Sequence, residues 1–369
     1  MILEAYVTSL VKKEDEIIEN FSTSLNEASL ATDITNFLKE KGITDPEVIN
    51  VVLAALKSDV ILKVITKIVD RVDKGNSALE KSLKASIDRM KAPIVDKVKF
   101  LRKISQESIL KESIIFGTPS SIKLNDLEPL IDESKISDTI KDYIPLLIAE
   151  LFETKTSKKG EGRTGVGRGE ILLATLGNGS LGASLGGDIA IEKSGTLLGA
   201  EIKSGNGVIS NLDGELFDVV KINNKVLTTK IKDLGLNLTI KDLGKKNFFK
   251  HYDKNPKEMY ELLTLMFRER IRDDYPIADE IKETFDKILN FDEKASVMQT
   301  KFETFIKEIG KQIFEAYKEK EGWEYLIFLN EVKGKYVYGS FQNGNEPKFN
   351  LVGFLYNGGT TSPQLAIKG

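Results

Sequence analysis

Apolar residues in the first part of the chain recur every three or four positions. After Asp45-Pro46, a capping residue followed by the proline favoured at the first helical position, Val48, Val51, Val52, Ala55 and Leu56 form one stripe. Val60, Val64, Ile68 and Val69 extend it. Similar stripes, with lysine and glutamate between them, predict further helices around 78–115 and 133–152. Residues 1–153 therefore read as an all-helical domain whose charge runs are solvated faces.

The pattern changes at Lys155, where the chain enters TKTSKKGEGRTGVGRGE and then ILLATLGNGSLGASLGGDIAIEKSGTLLGAEIKSGNG. Glycine at this density indicates tight turns around short elements. Loops and short strands are expected from about 208 to 250, including the small duplication IKDLG at 231–235 and 240–244. Helices follow at about 256–272, 276–290 and 298–320, the last carrying Phe302, Phe305, Ile306, Ile309, Ile313 and Tyr317 on one side. Strand-like runs at 324–330 and 335–341 precede two shorter ones. The fold class is thus α+β or α/β, with a helical domain over 1–153 and a mixed domain over 154–369.

Composition narrows the chemistry. The chain has no cysteine and a single histidine, His251, which removes disulfides, thiolate metal sites, cysteine nucleophiles and multi-histidine metal centres. Carboxylates, lysine and a hard, oxygen-seeking cation remain as tools. The net charge of −3 neither demands nor excludes a nucleic-acid partner, because a basic surface can sit on an acidic whole. The start of the chain lacks the pattern of a signal peptide, and no apolar run approaches a membrane span, so a cytoplasmic protein without a membrane partner is expected.

The segment GGDIAIEKSGTLLGAEIKSG carries the most specific signal. Alternation on both sides of Ser194-Gly195 predicts a two-residue hairpin in which paired residue numbers sum to 389. Asp188 then lies opposite Glu201. Residues two apart share a face, so Lys203 joins them, while Ile189, Ile191, Leu198, Ala200 and Ile202 face the other way. Opposed carboxylates repel each other unless a proton or cation sits between them. Two carboxylates, a backbone carbonyl and waters suit six-coordinate Mg²⁺, and a neighbouring lysine suits an anionic phosphate oxygen or an attacking hydroxide. E-x-K also occurs at Glu133, Glu153, Glu280, Glu331 and Glu346, so context, not the tripeptide, distinguishes Glu201.

These residues resemble the PD-(D/E)xK nuclease superfamily, whose signature is an acidic residue on one strand and (D/E)xK on the next, here Asp188 and Glu201-Ile202-Lys203. Many members add a glutamate on the preceding helix, and Glu170 opens the short apolar run Ile171-Leu172-Leu173. The resemblance implies a restriction-endonuclease-like mixed sheet with an αβββαβ core, interrupted here by an insertion at about 208–297. It implies a Mg²⁺- or Mn²⁺-dependent nuclease acting on phosphodiesters, with DNA favoured over RNA by family base rate. Asp188, Glu201 and the Ile202 carbonyl would hold the metal, Glu170 would bind or orient a second metal or water, and Lys203 would support the nucleophile. Some relatives carry a glutamine and a tyrosine on the later helix, where Gln312 and Tyr317 stand here.

Other features are less specific. Gly160-x-Gly162-x-x-Gly165 follows a lysine-rich segment rather than a strand, which disfavours a dinucleotide loop. Lys155, Lys158, Lys159, Arg163 and Arg168 suit either a basic loop on nucleic-acid phosphates or a solvated linker. In KKNFFKHYDK, Phe248, Phe249 and Tyr252 beside lysines are more often core than base-stacking residues. Only eight of the 53 basic residues are arginine, which favours backbone over base readout. The rival reading is a non-catalytic interaction or assembly protein, self-associating or binding partners through the helical domain.

Overall fold

A computed structural model describes residues 32–367, apart from 33–34, 37, 41, 113–121, 124–129, 156–165, 183–184, 206, 213–214, 333 and 353–362. The fold is mixed α+β, with helices first and sheets after. Contacts divide it into two units, Met1–Ile109 with Glu133–Thr154, and Leu110–Asp132 with Lys155–Gly369.

The first unit is helical. Helix α1 (Pro46–Asp73) opens as its sequence dictates, with the Asp45 carboxylate accepting the Glu47 N–H at 2.8 Å and proline at the first helical position. Helix α2 (Ser77–Arg89) is capped by Asn76, which accepts the Leu79 N–H at 2.9 Å. Pro93 separates it from α3 (Ile94–Gln106). The short α4 (Asp138–Lys141) and α5 (Ile144–Glu153) complete the unit. Val64, Ile65, Ile68 and Val72 of α1 are buried, as are Leu79, Leu83 and Ile87 of α2, Leu101 and Ile104 of α3 and Leu147, Leu151 and Phe152 of α5. Each set keeps the three-and-four spacing of a core-facing stripe.

One stretch departs from the helical expectation for residues 1–153. Ile122–Lys123 forms strand β1 and pairs with a strand of the second unit, and Leu110 bridges to Ile131. Two paired residues are too few to leave an alternating pattern in the sequence.

The second unit opens with helix α6 (Glu170–Leu176). An antiparallel meander follows, β2 (Ser180–Leu181), β3 (Ile189–Lys193) and β4 (Thr196–Lys203). After β4 come β5 (Val208–Asn211), α7 (Asn224–Asp233), α8 (Lys245–Tyr252), α9 (Pro256–Met266), α10 (Ala278–Ile288) and the long α11 (Ala295–Glu321). The chain returns as β6 (Tyr325–Val332), which lies parallel to β4, and then as β7 (Lys335–Phe341), antiparallel to β6. The large sheet therefore has the order β1-β7-β6-β4-β3-β2. Two late strands, β8 (Phe349–Val352) and β9 (Gln364–Ile367), form a small sheet with β5 in the order β5-β9-β8.

Two helices, α7 and α8, stand where loops and short strands were expected. Asn223 caps α7 by accepting the Lys225 and Val226 N–H groups, and Leu227 and Ile231 are its buried contacts. So few apolar positions give a weak periodic signal. On α8, Phe248, Phe249 and Tyr252 are buried and cannot serve as a base-stacking surface. They belong to a large aromatic core in which the Phe267 and Phe302 rings stand 5.1 Å apart and the Phe285 and Phe305 rings 5.5 Å apart. The α11 stripe Phe302, Phe305, Ile306, Ile309 and Ile313 runs through the same core.

Candidate active site

The β3–β4 hairpin pairs Ile189 with Ala200, Ile191 with Leu198 and Lys193 with Thr196, the register in which partner numbers sum to 389. Ser194 and Gly195 both adopt positive φ, at 48° and 80°, the combination of a type I′ turn. Serine is uncommon in that conformation. Glu112 holds it there, accepting the Ser194 N–H at 2.9 Å and its hydroxyl at 3.1 Å.

Just before β3, the Asp188 N–H donates to the Ala200 carbonyl at 2.9 Å, a bond whose numbers sum to 388, so the regular register ends at Ile189–Ala200 and does not extend to the expected Asp188–Glu201 pair. The Asp188 Oδ2 also accepts the Ile202 N–H at 2.9 Å, which fixes the main chain between Glu201 and Lys203. Gly187 makes this approach possible. Its φ is +78°, and a Cβ there would lie 2.6 Å from the Ala200 carbonyl oxygen. Ile189, Ile191, Ala200 and Ile202 are buried, leaving the charged residues on the opposite face.

Glu201 is only 5% exposed. Its Oε1 is bound by the Lys203 ammonium and by the Tyr317 hydroxyl, and Lys203 Nζ lies 3.2 Å from that hydroxyl. Tyr317 comes from α11, with its ring 5.8 Å from that of Trp323 and 5.3 Å from Lys203 Nζ. Glu170 stands in the first turn of α6, where its Oε1 accepts the Gly167 N–H at 2.8 Å. All six α6 residues that follow it are buried, so the helix anchors Glu170 from behind.

The carboxylates are close enough to perturb one another. Burial pushes the Glu170 carboxyl up to about 7, and repulsion by Asp188 and Glu201 adds to it against the Gly167 hydrogen bond. Burial and then Glu201 push Asp188 up to about 6, opposed by the Ile202 N–H and Lys203, with Glu321 at the end of α11 adding repulsion. Burial and the Glu201 charge raise the Tyr317 phenol well above its ordinary range, so it remains a hydrogen-bond donor. Glu170, Asp188, Glu201 and Glu321 thus share one region with Lys203, an excess of negative charge that a cation would relieve.

Among the described residues, no group of three or more Asp, Glu, His or Cys side chains is arranged to enclose a metal ion. The donor chemistry suits Mg²⁺ in the form that keeps several waters, with one or two carboxylates from the protein. Asp188 and Glu201 are the two carboxylates that could hold such an ion, with the Ile202 main chain between Glu201 and Lys203.

In comparisons with known proteins, no family model matches the chain, and no curated protein or solved structure matches it either.

Of the other residues expected to act, Lys158, Lys159 and Arg163 lie outside the described residues, as does the Gly160–Gly165 motif. Arg168 is exposed, two positions before Glu170. Gln312 is not part of the site, because its side-chain amide donates to the Thr284 hydroxyl at 2.8 Å. Glu112 and Glu321 are site residues that the sequence did not point to, and Tyr317 joins the site as the resemblance implied. Glu112 left no signal, being 82 positions from its partner. No helix among the described residues is long and apolar enough to cross a membrane.

Proposed function

We propose that the second unit is a metal-dependent nuclease that hydrolyses phosphodiester bonds, with Mg²⁺ or Mn²⁺ as cofactor and DNA as the favoured substrate. The single observation that carries this reading is the convergence of Asp188, just before β3, with Glu201 and Lys203 at the end of β4, the strand that lies parallel to β6. The element order gives further support. α6, then the β2-β3-β4 meander, then α11 and parallel β6 follow the αβββαβ sequence that the PD-(D/E)xK resemblance implies, with residues 204–294 as the insertion.

In this reading Asp188, Glu201 and the Ile202 carbonyl would hold the cation, with Glu170 nearby. When bound, the metal supplies Lewis acidity and lowers the pKa of an attacking water. Lys203, restrained by Tyr317 and Glu201, stabilises negative charge that develops on the phosphate or the nucleophile. Glu170, held near 7, can take up a proton at neutral pH, and the Gly167 N–H fixes which oxygen is engaged. Lys158, Lys159, Arg163 and Arg168 are assigned to phosphate contacts ahead of α6.

The test is cleavage of end-labelled DNA by wild type, Asp188→Asn and Lys203→Ala, purified in parallel with Mg²⁺ or Mn²⁺. Cleavage by wild type alone is expected. Equal activity in all three preparations would remove the site assignment. The closed Lys203–Glu201–Tyr317 cluster favours the rival, a non-catalytic charged hairpin. That reading requires no metal binding, with or without DNA, and no cleavage.

A further inference from the structure

A cavity of about 790 Å³ opens beside Lys203 and Tyr317. Its far wall does not come from the αβββαβ elements. It is built by β5 and by Glu215 and Tyr275–Ile277, all within the insertion that follows β4. The insertion therefore faces the candidate catalytic lysine across a space of the size that holds a small molecule, about 300–1,000 Å³.

The lining is uneven in charge. Lys203 from β4 and Glu319, Lys320 and Glu321 from the end of α11 line one part of it, whereas Asn211 lies on β5 and Glu215 in the loop after it. Both polar groups are fixed. The Ser210 hydroxyl donates to Glu215 Oε2 at 2.7 Å, and the Gln364 amide donates to Asn211 Oδ1 at 2.8 Å. A carboxylate and an amide in this setting accept and donate hydrogen bonds to a base edge, and the carboxylate repels a second phosphate. Tyr275, half-buried beside Pro276 and Ile277, supplies an aromatic and apolar wall of the kind on which unpaired bases stack.

We propose that this cavity receives one unpaired nucleotide, its phosphate toward Lys203 and its base toward Tyr275, Asn211 and Glu215. The substrate is then a single strand or an unpaired end rather than an intact duplex, because a stacked and paired base cannot enter without being extruded. This rests on the nuclease reading of the adjoining site and extends it to the class of strand acted upon.

The test uses the full chain and a fluorescent single-stranded oligonucleotide of mixed sequence beside the blunt duplex of the same sequence. Binding is followed by anisotropy in EDTA and cleavage is followed with Mn²⁺. Two variants probe the pocket: Tyr275→Leu removes the ring, and Ala316→Phe, on the α11 wall, fills the space. Circular dichroism checks that both fold. Wild type is expected to bind the single strand at least tenfold more tightly than the duplex, by the measure of stacking on one aromatic side chain. Each variant should weaken single-strand binding by about 5–100-fold and leave duplex binding unchanged. Equal affinity for both forms, or single-strand binding untouched in two folded variants, overturns the pocket assignment while wild-type cleavage would leave the nuclease reading intact. The expected binding pattern without any Mn²⁺-dependent cleavage sinks the nuclease reading and supports the pocket as a site for unpaired strands.

Discussion

Asp188→Asn keeps the shape of the side chain and its acceptor for the Ile202 N–H, and removes one negative charge. In the folded protein burial and Glu201 push this carboxyl from 3.8 to about 6. At about 1.4 kcal/mol per unit, that shift amounts to roughly 3 kcal/mol. The folded state holds the proton more tightly than the unfolded chain. Its contribution is therefore fully present below pH 3.8 and is lost as the pH rises through 6. The variant escapes this loss, and Glu170, which Asp188 repels, relaxes with it. In EDTA at pH 8 Asp188→Asn should be more stable than wild type by about 2–3 kcal/mol, and at pH 4 the two should coincide. Urea unfolding followed by fluorescence measures this directly, because the chain has a single tryptophan and Trp323 is buried against Tyr317 and Phe314. Adding Mg²⁺ at pH 8 should stabilise wild type and leave the variant unchanged. A variant less stable than wild type at pH 8, or an advantage independent of pH, would refute the argument that unrelieved carboxylate repulsion defines this site.

Three further outcomes follow from the same geometry. Lys203→Met should reduce cleavage by about 10²–10³-fold, as expected for loss of one preorganised charge at a reacting centre, in single-turnover assays on folded protein. Tyr317→Phe should lower stability by about 1.5–3 kcal/mol in urea titrations at pH 8, since the lost hydroxyl donates to the buried Glu201 carboxylate. Gly187→Ala should destabilise the second unit by about 2 kcal/mol or more and reduce cleavage as well. The added Cβ would meet the Ala200 carbonyl and push Asp188 away from the Ile202 N–H. A Gly187→Ala protein with normal activity and stability would show that this close approach is not needed.

What could be read in the sequence was local. The hairpin register followed from alternation and turn chemistry within sixteen residues, and the Asp188 and Glu201 carboxylates stand close enough to repel each other, although Asp188 bonds one position off the expected pairing. Helix α1 was likewise written in Asp45-Pro46 and its apolar spacing. What was not legible depends on long-range contact. Strand β1 is two residues long and pairs with a strand more than 200 positions away, so nothing in the sequence around Ile122 and Lys123 announced it. Strand β2, equally short, leaves the first core strand nearly invisible between glycines. Helices α7 and α8 are lysine-rich with few apolar anchors, and tertiary packing rather than periodicity decides them. The cavity wall at β5, Glu215 and Tyr275 needs the insertion to fold back toward Lys203, which no spacing rule anticipates.

The central claim is that Asp188 and Glu201 share a divalent cation beside Lys203. Anomalous scattering from crystals grown with Mn²⁺ at pH 8 tests it at the atoms concerned. The account predicts a Mn²⁺ peak bound by both carboxylates in wild type, with Lys203 displaced from Glu201 toward the nucleophile, and no peak in Asp188→Asn. Full-strength diffraction from wild type with the Lys203–Glu201 pair still closed and no anomalous density between the two carboxylates would contradict it.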